Sequence, residues 1–162
     1  MSLNEQWIQK LTAVHYRASF WSRILGFIFD LVTMFFLWLI VGVFTTLWML
    51  VTSNAPSDDF IFIRTYILEN EPHLFYTAIG IQIVVLLLYL FILPITFKYP
   101  RTVGMMIAGT KFLGTDAKEI TKLTYLKREL LKWILFPGAL LLFRKNKQSA
   151  ADLLTKTYVT YY

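Results

Sequence analysis

The residue of this sequence best placed to do chemistry is an acid inside an apolar run. Asp30 sits two helical turns beyond Arg23, near the start of Ile24–Val51. A carboxylate within hydrocarbon costs a few kcal/mol unless it is paired or hydrated. Two roles justify that cost. The acid binds a proton or cation, since desolvation favours the neutral form of a carboxyl group. Alternatively it pairs with a basic side chain from another segment and clamps the two together. The clamp is the leading expectation, and ion or proton coupling is the functional one.

Spacing decides which bases are within reach. Arg23 lies about 10 Å back along a helix from Asp30. Helical side chains lean toward the N-terminus, so Arg23 reaches away from Asp30 toward headgroups. The partner must come from elsewhere in the chain. Arg128 and Lys132 are the leading charge partners, and Arg101 is the next. A second acid, Asp152, stands in a polar tail, where it reads as a helix cap or as a bridge to Arg144 or Lys147. Its alternative role is a cytoplasmic ion site.

Other reactive types are poorly placed. His15 and His73 have no companions at metal-ligand spacing. Asp58, Asp59, Glu69 and Glu71 fall in one acidic loop and read as solvated. There is no cysteine, which excludes disulfides, thiolate catalysis and cysteine metal sites. No Ser-His-Asp order, phosphate loop or paired catalytic carboxylates can be assembled at one site. The chain is therefore expected not to be an enzyme, and to need no cofactor or metal.

The elements that must position Asp30 are set by composition. Of 162 residues, 57% are hydrophobic and 17% aromatic, too much for a soluble core of this size. The expected fold is an all-α integral membrane protein. It has two long transmembrane helices, a third short re-entrant or interfacial helix, an amphipathic N-terminal helix and a small cytoplasmic β-hairpin. Residues 1–23 read as an interfacial helix, with Trp7, Ile8, Leu11 and Val14 at helical spacing. Span 1 covers 24–51, long enough to cross with tilt, and lacks a cleavage site behind it. The outer loop is 52–73, in which FIFIRTYIL forms a short helix. Span 2 covers 74–97, with Gln82 at depth.

Residues 98–129 form a basic cytoplasmic segment. Within it TKFLGTDAKEIT reads as two strands about Gly114-Thr115-Asp116-Ala117. The run 130–143 is short for a span and is broken at Pro137-Gly138, so it is expected not to cross; a crossing helix is the alternative and would put the four basic residues of the tail outside. The tail, 144–162, ends in the strand-like KTYVTYY, which could pair with Lys111–Gly114.

Basic residues crowd the N-terminal segment, 98–129 and the tail, whereas 52–73 is acidic. The positive-inside rule then places both termini of a multi-pass cell-membrane protein in the cytoplasm. The net charge of +6 fits contact with anionic headgroups, not nucleic acid, because the basic residues flank apolar runs.

Four blocks, in order, resemble the RDD family of membrane proteins, named for an arginine and two aspartates. They are Arg17–Asp30 (RASFWSRILGFIFD), Thr102–Phe112 (TVGMMIAGTKF), Arg128-Glu129-Leu130, and Gln148–Val159 (QSAADLLTKTYV). The resemblance implies that Arg23, Asp30 and Asp152 are the family's arginine and aspartates. It covers nearly the whole chain as a single domain. Departures are Met105 where lysine is usual, Ala151 where histidine is common, and Thr155-Lys156 where Ala-Gly is usual. The family implies a cation- or proton-coupled transport component, or an accessory subunit regulating a larger membrane protein. Two spans cannot enclose a path alone, so a homo-oligomer or a larger partner is expected.

Overall fold

The computed structural model describes residues 16–135 and 148–161. In chain order they form α1 (Phe20–Thr52), α2 (Phe60–Asn70), α3 (Pro72–Leu87), a π-helical turn (Leu88–Ile92) and α4 (Leu93–Thr96). There follow α5 (Val103–Ile107), β1 (Thr110–Gly114), α6 (Lys122–Ile134), α7 (Ala150–Leu154) and β2 (Thr157–Tyr161). The expected interfacial helix in 1–23 lies mostly outside the described residues, as does Pro137-Gly138. The chain divides into two compact units, Met1–Thr33 with Leu90–Tyr162, and Met34–Tyr89.

Phe20–Thr52 and Pro72–Thr96 are long and apolar enough to cross a membrane. In the most apolar window of each, only 6% and 17% of residues are buried, the reverse of a soluble core helix. The first span starts at Phe20, earlier than the expected Ile24, because Ser19 caps it. The Ser22 amide donates to Ser19 Oγ at 3.2 Å. The second span changes pitch near its end. Pro94 has no N–H and its ring crowds the carbonyl four residues back, that of Leu90. The π-helical turn accommodates this, and the Tyr125 hydroxyl donates to the Leu90 carbonyl at 3.3 Å. Tyr125 is thereby fully buried.

In the unit Met34–Tyr89, polar side chains are satisfied pairwise. Trp38 Nε1 donates to Gln82 Oε1 at 2.8 Å, and Gln82 Nε2 donates to Thr45 Oγ1 at 3.0 Å. The depth position of Gln82 is thus a tie between the two long helices. The outer-loop helix appears as expected, as α2, capped by Asp59. Glu71, expected to be solvated, is buried instead. It accepts from Ser53 Oγ at 2.9 Å and from Asn54 Nδ2 at 2.8 Å. The Asn54 side chain in particular holds this carboxyl below its usual range.

In the other unit a small sheet carries the packing. β1 and β2 run antiparallel, with Thr110 opposite Tyr161 and Gly114 opposite Thr157. This is the conditional pairing between the tail and Lys111–Gly114. The local hairpin over 110–121 is reduced to its turn and one bridge, Leu113 to Glu119. On its other edge β2 meets the chain entering α1. The Ala18 amide donates to the Val159 carbonyl at 2.8 Å, and Thr160 Oγ1 donates to the Tyr16 carbonyl at 2.7 Å. Beneath the sheet Ala18, Met105, Phe112, Ile120, Tyr125 and Val159 form one core.

The segment KLTYLKRELLKWILF, which reads as helical, joins the basic segment to the start of the short apolar run. Thr121 accepts from the Thr124 amide at 3.2 Å, and α6 runs unbroken from Lys122 to Ile134.

Candidate functional site

Arg23, Asp30, Asp152, Arg128 and Lys132 all belong to the unit Met1–Thr33 with Leu90–Tyr162. Arg23, Arg128 and Asp152 form one constellation and Asp30 centres a second, while Lys132 pairs with Glu129 beside them.

The first is centred on Asp152. Ser149 starts α7 with a capping box: its hydroxyl accepts from the Asp152 amide at 3.2 Å, and Asp152 Oδ2 accepts from the Ser149 amide at 3.0 Å. That geometry fixes the carboxylate with both oxygens facing inward, fully buried. Arg23 Nη1 donates to Oδ2 at 2.7 Å. Arg128 donates to Oδ1 from Nε at 2.8 Å and from Nη2 at 2.7 Å. The Arg128 guanidinium also lies 4.0 Å over the Phe112 ring. Burial pushes the Asp152 carboxyl up, but Arg128 and Arg23, helped by the Ser149 amide, bring it down to about 2. Asp152 is therefore an anion at neutral pH, and it joins α1, α6 and α7.

The second constellation is centred on Asp30. Thr102 Oγ1 donates to Oδ2 at 2.6 Å, and the Gly104 amide donates to Oδ1 at 2.8 Å. The same Thr102 oxygen caps α5 by accepting from the Met105 amide at 3.2 Å. Asp30 thus latches the first turn of α5 onto α1. Gly104 permits the close approach. A Cβ there would lie 2.7 Å from Asp30 Cγ and 2.9 Å from the Asp30 amide nitrogen, and would strike the Gly26 carbonyl.

Several expectations need correction. Arg128 was expected beside Asp30 and instead binds Asp152. Lys132, the other leading partner, binds Glu129 at 2.6 Å. Arg23 was expected to reach for headgroups, and it turns inward to Asp152. Asp152 does belong to a helix N-terminus, but its bridges are Arg23 and Arg128. Arg144 and Lys147 lie outside the described residues. Arg101, the third proposed partner, is half-buried and precedes the Thr102 hydroxyl that binds Asp30.

The physical reason is shared. The basic groups of α6 face not Asp30 alone but also the carboxylate that the tail brings into the same core. Spacing contains no signal for that convergence, because Asp152 is remote in sequence from both arginines. The Thr102-x-Gly104 donors were legible only as part of the family-like block. Glu129 was missed as a candidate, although a glutamate between an arginine and an apolar run was visible.

Between the two constellations lies a cavity of about 280 Å3. Phe20, Phe27 and Leu135 supply apolar wall, and Arg23, Asp30, Arg128, Glu129 and Lys132 supply charge. Carboxylates, cations and hydroxyls in one partly apolar chamber can exchange ions or protons, or serve only as packing. Among the described residues, no group of three or more His, Cys, Asp or Glu side chains is placed to hold a metal ion.

No curated protein and no solved structure matches the chain. The RDD family matches residues 17–156, a stretch that includes Arg23, Asp30 and Asp152 together with every residue of both constellations. The match covers most of the sequence and its two long helices are apolar enough to cross a bilayer, so the chain belongs to the RDD family, a family of membrane proteins.

Proposed function

We propose that this protein is a transport-type component of the cell membrane, coupled to cations or protons, and not an enzyme. The supporting observation is the charged cavity. Asp30 stands on a membrane-spanning helix and, with Glu129, presents carboxylate to one chamber. Intramembrane carboxylates facing a cavity are the usual elements of ion and proton pathways. Two spans cannot enclose such a path, so the working unit is a homo-oligomer or a complex with a larger membrane protein.

The membrane placement carries its own detail. Helix α6 turns Arg128 and Glu129 inward and exposes Leu123, Leu130 and Ile134. That inversion of a soluble helix suits a short interfacial helix whose apolar stripe meets acyl chains. Its exposed Lys122 and Lys127 suit anionic headgroups. With the positive-inside distribution, both termini are assigned to the cytoplasm.

The test is flux in proteoliposomes under a pH gradient, with the wild type and Asp30→Asn. Asparagine can keep the contacts to Thr102 and Gly104 while removing the charge. Loss of pH-linked cation flux in a variant that still inserts supports the assignment. Unchanged flux ends the role of Asp30.

A second reading is a regulatory or accessory subunit with no transport of its own. It is favoured by the uncovered faces of the two long helices. Crosslinking in native membranes would then capture a stoichiometric partner, and purified protein would show no flux.

A further inference from the structure

Glu129 is the buried acid that the Asp152 constellation leaves out. It is 1% exposed and faces the cavity. Asp152, equally buried, accepts from two guanidinium groups and a backbone amide. Glu129 has a thinner shell. Lys132 Nζ donates to Oε1 at 2.6 Å, and Arg128 Nη1 stands 3.8 Å from Oε2. Arg128 is already committed to Asp152 through Nε and Nη2. The close counter-ion of Glu129 is therefore Lys132, whose side chain is 41% exposed.

That pairing is asymmetric. A buried carboxylate needs a counter-charge, because an isolated ion in a low-dielectric interior is costly. Lys132 needs no carboxylate, since its ammonium can be hydrated where it stands. Its four-carbon stem also loses rotamer freedom when held in one geometry. The contact is thus one that the acid requires and the base can leave.

Charge balance states what can take its place. The Lys132 ammonium supplies one positive charge to the Glu129 carboxylate, at 2.6 Å from Oε1. When Lys132 swings out, Glu129 keeps only the more distant Arg128, which it shares with Asp152. A monovalent cation restores neutrality, and a divalent one overshoots. Thr102, Thr110 and Ser149 are among the residues lining the same chamber, and oxygen donors with carboxylate suit a hard cation.

We infer that Glu129 is the carboxylate of an exchangeable monovalent-cation site, with the Lys132 ammonium as its tethered resident. Lys132 competes with the incoming ion and so sets the affinity of the site. The inference rests on the transport reading for its purpose and names the class of ion involved.

Equilibrium binding of radioactive sodium and rubidium to the full chain in mild detergent tests it. Lys132→Gln should bind one or both ions about fivefold more tightly than the wild type, the upper scale of one lost competing ion pair. Glu129→Gln should bind neither. If Glu129→Gln fails to fold, the comparison of Lys132→Gln with the wild type decides alone. Equal affinity in those two proteins, or wild-type binding by a folded Glu129→Gln, overturns the inference. Flux in proteoliposomes separates the two claims. Tight binding by Lys132→Gln without pH-linked flux in any variant keeps the site and ends transport. Wild-type flux with unchanged Lys132→Gln affinity keeps transport and removes the site.

Discussion

Glu71 and Asp152 hide in different units of the molecule and are kept charged by different means. Glu71 is 8% exposed and is held by neutral donors, the Ser53 hydroxyl and the Asn54 amide groups. Asp152 is 0% exposed and is held by two guanidinium groups. Hydrogen bonds from neutral groups suffice where the carboxylate keeps some contact with solvent. Full burial demands full counter-charge, because desolvation grows as water is lost. The consequence is a difference in fragility. A neutral set loses one hydrogen bond at a time, whereas removing the Asp152 anion takes one shared carboxylate from Arg23 and Arg128 at once.

The largest effect should therefore come from Asp152→Ala. Breaking a buried pair from one side costs about 3–5 kcal/mol. Thermal unfolding in detergent, read by size-exclusion recovery, should show that loss. A cost under about 1 kcal/mol would erase the contrast with Glu71.

Acid acts on the same group. The Asp152 carboxyl is lowered from 3.8 to about 2, so its contribution is complete above pH 3.8 and is lost as pH falls toward 2. Stability measured at pH 6 and pH 4.5 should therefore differ little on its account. A sharp loss between those two values would assign the carboxyl a higher value in the folded protein.

Gly104→Ala should come next. The new Cβ meets Asp30 and the Gly26 carbonyl, and overpacking of this kind costs about 1–3 kcal/mol. Denaturant titration of Gly104→Ala would show it, and a neutral outcome would mean that α5 can lift from α1. Glu71→Gln should shift stability less than Gly104→Ala, since the amide still accepts from Ser53 or Asn54. An equal or larger shift would make the Glu71 set as fragile as the ionic one.

The smallest effect, and a gain, is expected for Lys156→Gly. Lys156 has φ of 52°, in the left-handed region, at the turn into β2. Relief of that conformation is worth about 0.5–1 kcal/mol. A loss on substitution would show that the lysine side chain contributes more than its backbone costs.

Lys156 also shows how much was legible and how much was not. It stands where the family-like block usually has glycine, and the left-handed backbone explains the usual residue. Elements followed directly from pattern: apolar length gave the two spans, and the alternation in the tail gave β2. Capping by Ser19 starts the first long helix at Phe20, ahead of the expected Ile24. Asp30 was identifiable as a residue needing a donor, but its donors were not. Charge alone points to arginine or lysine and says nothing of the Thr102 hydroxyl and the Gly104 amide that the structure brings to the carboxylate.

The sequence by itself determined the membrane class, the two long helices and the acids that must be accommodated. Those depend on hydrophobic length and on residue type, which are local properties. Only the tertiary structure decided which acid meets which base. Arg23, Arg128 and Asp152 come from three separated segments, and their convergence depends on the pairing of β2 with β1 and on the capping of α7. Partner choice among buried charges is a competition over the whole fold, so no single stretch of residues contains its outcome.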